Sequence, residues 1–165
     1  IRFQPRSRGL GKWHKLKFIY RRENDMNTFK TEVLLKYSAK DIFNIFTKSA
    51  RLNFPNFNEK KAVGTFVQQK NNKRFKVEIT NFEKNRVYEI KTSNKRESTI
   101  TRYELVHIDL ENTKLIFIES ESKRNIFGKI NSALVRVLFG KRQPEEFNKF
   151  IKKLEMELEN NSVNL

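Results

Sequence analysis

Residues 29–41 read FKTEVLLKYSAKD, and this stretch decides the fold class. Alternate residues of its first nine positions share one face, namely Phe29, Thr31, Val33, Leu35 and Tyr37. This period of two predicts a half-buried strand. The next four residues, Ser38-Ala39-Lys40-Asp41, match a capping box, with Ser38 at the N-cap and the Asp41 carboxylate reaching back to it. The sequence therefore predicts a strand that leads directly into a helix.

The predicted helix has an apolar stripe, formed by Ile42, Phe43, Ile45 and Phe46. An irregular connection at 52–61 follows, in which we expect Phe54 and Phe57 to plug the open end of a sheet. Five further segments have strand patterns and are joined by short polar turns, at 62–69, 74–80, 87–92, 97–108 and 114–121. Short sequential connections predict an antiparallel meander.

A long helix is predicted after the last strand. It begins near Arg124, and apolar residues recur at helical spacing up to Leu138, including Ile130 and Leu134. A polar break at 140–144 interrupts the stripe, which then resumes through Phe147, Phe150, Ile151, Leu154 and Leu158. Pro144 suits either the first turn of a renewed helix or a kink. The predicted class is therefore α+β: a curved antiparallel sheet of about six strands packed on a long C-terminal helix, with a short helix after the first strand.

The net charge of +16 is unevenly distributed over the 165 residues. Residues 1–25 carry eight Lys and Arg against Glu23 and Asp25, a net of +6, and the remaining +10 is spread thinly. A basic surface favours contact with nucleic acid or anionic lipid, whereas a solvated Lys-rich surface is the simpler interpretation. We divide the chain into a basic extension at 1–25, expected to be disordered, and one domain at 26–165.

Three interpretations of the extension remain open. It is an arm that binds nucleic acid, an organellar transit peptide, or a segment translated from upstream of a true start at Met26. We favour the third, because residues 21–25 read RREND. The codons AGG-AGG-GA(A/G) would encode the first three of these residues, and this purine-rich stretch is a ribosome-binding sequence.

Composition excludes several kinds of chemistry. The chain has no Cys, which removes disulfides, thiol catalysis and Cys-based metal sites. It has two His, of which His14 lies in the extension, so a His-rich zinc site is ruled out by count. No nucleophile elbow and no Gly-rich phosphate loop occur. We assign no catalytic residue, metal or cofactor, and because no apolar run is long enough to span a bilayer we expect a cytoplasmic protein.

Candidate ligand-binding residues lie on the face of the sheet that the helix would cover. Phe75, Phe117, Ile130 and Leu134 are the candidate walls of a cavity, and Tyr88, Thr101, Tyr103 and Glu119 are candidate orienting groups. Glu119 and Glu121 share a strand face with Phe117, but the favoured interpretation is that this strand end leaves the core and that both carboxylates pair with surface cations. His107 is interpreted as a structural residue.

Several segments resemble those of a known superfamily. The β-α-β-α order resembles the helix-grip fold of the START-like (SRPBCC) superfamily, and a small family of unknown function from low-GC Gram-positive bacteria is similar in five segments: 64–66, 75–80, 87–89, 114–121 and 140–142. The resemblance covers roughly 27–160. It implies a helix-grip fold with a small-molecule cavity, and it carries over no catalytic residue. The second short helix that the superfamily usually has is obscured by Asn53-Phe54-Pro55-Asn56.

The leading hypothesis is a binding protein, monomeric or homodimeric, that holds a hydrophobic or amphipathic small molecule between sheet and helix. One alternative is a basic module that binds nucleic acid or an anionic membrane surface. Another is a START-like enzyme of cyclase or hydrolase type that uses Glu119 or His107. The nucleic-acid alternative is not favoured, because most Phe residues fall on apolar faces rather than between Lys and Arg.

Overall fold

A computed structural model describes residues 19–23, 26–68, 75–95, 98–121 and 144–163, with side chains described for 28–68, 75–95, 98–121 and 147–161. These ranges contain seven strands, two α-helices and a 3₁₀-helix at Glu59–Lys61. The strands are β1 Ile19–Glu23, β2 Met26–Leu35, β3 Phe66–Gln68, β4 Lys76–Glu83, β5 Val87–Ser93, β6 Ser98–His107 and β7 Thr113–Glu121. The helices are α1 Ala39–Asn53 and α2 Pro144–Val163.

The strands form one antiparallel sheet in the order β1-β2-β7-β6-β5-β4-β3. β3 to β7 follow one another as a meander, so each pairs with its neighbour in sequence. β2 instead pairs with β7, from Asn27 opposite Glu121 to Leu35 opposite Thr113. The helix α1 between β2 and β3 connects strands near opposite edges of the sheet.

The predicted fold class is confirmed, with two differences in the strands. β2 to β7 are the six expected strands, and β1 adds a seventh by pairing with β2 from Ile19 opposite Lys30 to Glu23 opposite Met26. β1 lies within residues 1–25, the stretch that was expected to be a disordered extension. The domain boundary at residue 25 stays a prediction. The five residues of β1 show no sustained apolar alternation, so the sequence predicts no strand there. An edge strand can nevertheless form, because its backbone groups pair with the neighbouring strand.

The strand predicted at 62–69 is shorter than expected and begins at Phe66. Before it, Gly64 has a φ of 87° and its amide donates to the Ile79 carbonyl at 2.8 Å. The Ile79 amide in turn donates to the Thr65 carbonyl at 2.9 Å. The positive φ turns the chain onto β4 before regular pairing begins.

The predicted capping box at the start of α1 is present. The Asp41 amide donates to Ser38 Oγ at 3.1 Å, and Ser38 Oγ donates to Asp41 Oδ2 at 2.6 Å. The helix ends at Asn53, where the Phe54 amide donates to the Ala50 carbonyl at 2.9 Å. The cap satisfies an amide that the first turn leaves without a helical partner, and so fixes where α1 begins.

Both helices pack on the concave face of the sheet. α1 buries Phe46, whose ring lies 6.0 Å from Tyr88 and 5.2 Å from Tyr103. α2 buries the whole predicted stripe, Phe147, Phe150, Ile151, Leu154 and Leu158. At about 1.5–3 kcal/mol for each such side chain, this stripe is a main source of the stability of the fold. α2 is described from Pro144, and the half of the helix predicted between Arg124 and residue 143 lies outside the described residues.

The convex face of the sheet carries a network of charged and polar side chains. Arg102 donates to Glu89 at 3.0 Å and to Glu104 at 2.5 Å, and Thr80 Oγ1 donates to Glu89 Oε1 at 2.8 Å. The network links β4, β5 and β6 on the side away from the helices. The two faces of the sheet therefore have separate roles, and a candidate ligand site belongs to the concave one.

Candidate functional site

Strand register arranges the concave face in rows that run across the sheet. One row is aromatic, with Phe117 of β7 opposite Tyr103 of β6, and Tyr103 opposite Tyr88 of β5. Thr31 of β2 continues this row beyond Phe117. Because residues that pair directly across an antiparallel sheet share a face, the register alone brings these four side chains to the same surface.

The helices cover the aromatic row with further rings. Phe147 lies 5.6 Å from Phe117, and Phe150 lies 5.6 Å from Tyr103, measured between ring centroids. Both contacts are tilted, and their centroid distances lie in the range of about 4.5–7 Å in which aromatic pairs attract. The aromatic row and its covering helices therefore form the rigid side of the candidate site.

The next two rows along the strands are polar. In the first, Glu119 of β7 lies opposite Thr101 of β6, and in the second, Glu121 lies opposite Thr99. Thr92 of β5 extends the second row, since it pairs with Thr99. Thr101 and Thr99 precede Tyr103 by two and four residues, which at the rise of a strand is about 7 and about 13 Å. A polar patch thus adjoins the aromatic row on the same buried surface.

Both glutamates are buried, Glu119 with 2% and Glu121 with 3% of its surface exposed. The expectation that this strand end leaves the core is wrong, whereas the pairing of the two carboxylates with cations stays a prediction. β7 stays paired on both sides up to its last residue, with Asn27 and Thr99 flanking Glu121, so the inward face of β7 remains inside along its whole length.

Burial also raises the pKa of two tyrosines of the aromatic row, Tyr88 and Tyr103. Desolvation raises the pKa of Tyr103 well above its ordinary value, and the nearby charges of Glu119 and Tyr88 raise it further. Desolvation likewise raises the pKa of Tyr88. Both phenols therefore keep their protons at any ordinary pH, so that each can donate a hydrogen bond and neither can serve as a base.

Several buried hydroxyls have no hydrogen-bond partner within the described part of the chain. They share the concave face and belong to Thr31, Tyr88, Thr92, Thr99 and Thr101. A buried hydroxyl without a partner costs about 1–3 kcal/mol by mutational measures, and buried polar groups in folded proteins are nearly always paired. Five of them on one surface form a set of unused donors and acceptors.

Six of the eight candidate ligand-binding residues lie together on this surface. They are buried on the concave face: Phe75, Tyr88, Thr101, Tyr103, Phe117 and Glu119. The other two, Ile130 and Leu134, lie outside the described residues. Thr31 and Thr92 were not singled out, although the period of two places Thr31 with Phe29 and Thr92 with Tyr88.

His107 does not join this cluster. It lies exposed at the end of β6, opposite Thr113, and Glu119 lies six positions beyond Thr113 along β7. At the rise of a strand this is about 20 Å, so His107 and Glu119 belong to different ends of the sheet. Among the described residues, no group of three or more His, Asp or Glu side chains is placed to hold a metal ion.

An opening lies between the two helices, and we name it the α1/α2 groove. It has a volume of about 430 Å³, with Phe46, Tyr88 and Phe150 at its base. α1 and α2 contribute its walls. No local sequence pattern indicates this groove, because the distance between two helices depends on how they pack.

Residues 26–140 match the protein family described as "Domain of unknown function (DUF3284)". The chain belongs to this family. No curated protein matches it. Within the described residues, neither helix combines the length and apolar character that crossing a membrane requires.

Solved structures with similar folds come from different biological settings. CalU16 from Micromonospora echinospora is 12% identical, with a TM-score of 0.51, covering 89% of this chain and 91% of its own. An HSP90 activator from Plasmodium falciparum is 14% identical, with a TM-score of 0.52, covering 79% of this chain and 95% of its own. Norcoclaurine synthase from Thalictrum flavum is 9% identical, with a TM-score of 0.51, covering 90% of this chain and 99% of its own. That structure is of a point mutant in complex with a transition-state analogue. These likenesses show a START-like helix-grip fold.

Proposed function

We propose that this DUF3284 protein binds an amphipathic small molecule against the concave face of its sheet. The observation that carries the proposal is the set of buried hydroxyls on Thr31, Tyr88, Thr92, Thr99 and Thr101. An apolar surface with a few convergent polar groups is the usual chemistry of a small-molecule site. The aromatic row supplies the apolar part, and the threonine rows supply the polar part.

The proposed orientation of the ligand follows from this division. Its apolar portion lies against the aromatic row at Phe117, and its hydrogen-bonding groups lie towards Thr99 and Thr101. Glu119 adds an acceptor or a negative charge beside Thr101, its partner across the strands. The ligand is therefore expected to carry at least one hydroxyl, amide or amine group in addition to its apolar body.

The two alternatives have less support among the described residues. A nucleic-acid surface needs several exposed aromatic rings, whereas Phe66 is the exposed aromatic residue among the described side chains and the Lys76 ammonium lies 4.6 Å from its ring centroid. An enzyme that uses His107 would have to work at the exposed end of β6, away from the buried hydroxyls. We therefore place binding before catalysis.

The test is native mass spectrometry of the purified full chain, followed by the Thr101→Val variant. The expected result is a bound small molecule in the parent protein that is lost in Thr101→Val. Because Val has no hydroxyl to leave without a partner, this variant is also expected to be more stable than the ligand-free parent, by about 1 kcal/mol.

Thr113→Val is the matched control, since Thr113 is a buried threonine of the same face whose hydroxyl donates to the Tyr37 carbonyl at 2.8 Å. It should lower the free energy of unfolding and keep the ligand. If the parent carries no ligand and both variants lose stability alike, the proposal is overturned.

A further inference from the structure

The α1/α2 groove is formed by two helical faces of matching geometry. From α1 it takes Ile45, Lys48, Ser49 and Leu52, and from α2 it takes Phe150, Lys153, Leu154 and Glu157. Each set has the spacing i, i+3, i+4, i+7 that places residues on one side of a helix. Ser49 has a short side chain at the centre of the α1 face, so the two helices do not close on each other there.

The mouth of the groove exposes large apolar side chains. Leu52 is 78% exposed and Met156 is 62% exposed, one on each helix. Below them, Leu154 and Phe150 continue the apolar wall to Tyr88 at the base. A volume of about 430 Å³ lies within the range of small-molecule sites, which is about 300–1,000 Å³. The groove therefore has the size and lining that suit an alkyl chain or a small ring system.

The charges at the mouth decide what kind of headgroup fits. Lys48 Nζ lies 3.6 Å from Glu157 Oε2, so these two charges offset each other across the helices. Lys153 also lines the groove and makes no ion pair within the described part of the chain. The described charges of the groove thus sum to a single positive one, which favours an anionic group at Lys153.

We propose that the α1/α2 groove binds a single-chain anionic amphiphile, with its hydrocarbon against Phe46, Phe150 and Leu154 and its carboxylate at Lys153. This site is separate from the proposed concave-face site. The groove ends on the rings of Phe46, Tyr88 and Phe150, whereas Thr101 and Thr99 lie about 7 and about 13 Å further along β6. Tyr88 borders both sites, but different residues decide each proposal: Ser49 and Lys153 in the groove, and Thr99 and Thr101 on the concave face.

The probes are octanoate, octan-1-ol and octylammonium, which share a chain length and differ in the charge of the headgroup. Each is titrated into the ¹⁵N-labelled full chain, and amide signals are followed by NMR. Octanoate is expected to bind most tightly and octylammonium most weakly, and the signals that move should belong to Ser49, Lys153 and their neighbours.

Three variants sharpen the result. Lys153→Gln should weaken octanoate binding about two- to fivefold, as expected for a solvent-exposed charge pair. Lys152→Gln is the matched control, because Lys152 is an exposed lysine beside it that does not line the groove, and it should bind octanoate as the parent does. Ser49→Leu should fill the groove and abolish binding without unfolding the protein.

The outcomes separate the two sites. Equal affinity for all three probes, equal losses in Lys153→Gln and Lys152→Gln, or octanoate shifts confined to Thr99 and Thr101 would each overturn the groove proposal. Thr101→Val should leave octanoate binding unchanged even where it removes a ligand from the concave face. Failure of one proposal is thus distinguishable from failure of the other.

Discussion

Tyr88 and Tyr103 occupy directly paired positions of β5 and β6, and their rings lie 19° from parallel with centroids 6.4 Å apart. Neither ring has more than 1% of its surface exposed. The pair joins the two helices through the sheet, because Phe46 of α1 contacts both rings and Phe150 of α2 contacts Tyr103. It is the central aromatic contact of the concave face.

The first prediction concerns alkaline pH. Burial raises the pKa of both Tyr88 and Tyr103, so the folded state holds their protons above pH 10 while the unfolded state releases them. The stability that they confer is complete below about pH 10 and is lost as pH rises further. Urea unfolding between pH 8 and pH 11 should show this decline.

Absorbance at 295 nm gives an independent measurement. Of the four tyrosines, Tyr88 and Tyr103 should remain protonated near pH 10.5 for as long as the protein is folded. A Tyr88→Phe, Tyr103→Phe double variant should flatten the alkaline decline in stability. Titration of all four tyrosines in one step near pH 10 with the fold intact would contradict the prediction.

The second prediction concerns the cap of α1. Ser38→Ala removes the acceptor of the Asp41 amide and the donor to the Asp41 carboxylate. The free energy of unfolding should fall by about 1 kcal/mol, as measured by chemical denaturation. Ser38→Asp keeps an acceptor at the N-cap and should recover part of the loss, whereas an unchanged stability in Ser38→Ala would show that the cap contributes nothing.

The third prediction compares two positions on α2. Ile151 is completely buried and Met156 is 62% exposed. Ile151→Ala should lower the free energy of unfolding by about 2–5 kcal/mol, because it leaves a cavity in the core. Met156→Ala should change it by about 0.5 kcal/mol or less. Similar losses at both positions would mean that α2 does not pack through its predicted stripe.

The fourth prediction separates backbone strain from steric contact at Gly64. A Cβ at this position would meet nothing within 4 Å, yet the φ of 87° is one that other residues rarely adopt. Gly64→Ala should therefore cost about 1 kcal/mol through conformation alone. Asn85, which has a φ of 60°, offers the converse test, since Asn85→Gly should be neutral or slightly stabilising.

Local patterns were sufficient for most of the fold. The alternation from Phe29 and the capping box at Ser38 predicted β2 and the start of α1, and the stripe from Phe147 to Leu158 predicted the buried face of α2. Each of these features depends on residues only a few positions apart, which is why the sequence displays them. The shortened β3 depends instead on the backbone angle of Gly64 and on its pairing with β4.

The candidate site was predictable only in part. A period of two places Glu119 and Glu121 with Phe117, but it cannot say whether a strand end stays inside. That was decided by pairing with Asn27 and Thr99, residues far away in sequence. The α1/α2 groove is less visible still, because it depends on the approach of two helices about a hundred residues apart and on one short side chain, Ser49, between them.

The pairing of β2 with β7 has a consequence for the order in which the chain can fold during synthesis. Strands β3 to β7 pair with neighbours in sequence, whereas Phe29 meets Glu119 only after some ninety further residues have been made. Contacts of such high sequence separation form late and slowly. While the ribosome is still making the meander, β2 can pair with β1 but not with β7. The sheet is completed only when β7 has emerged.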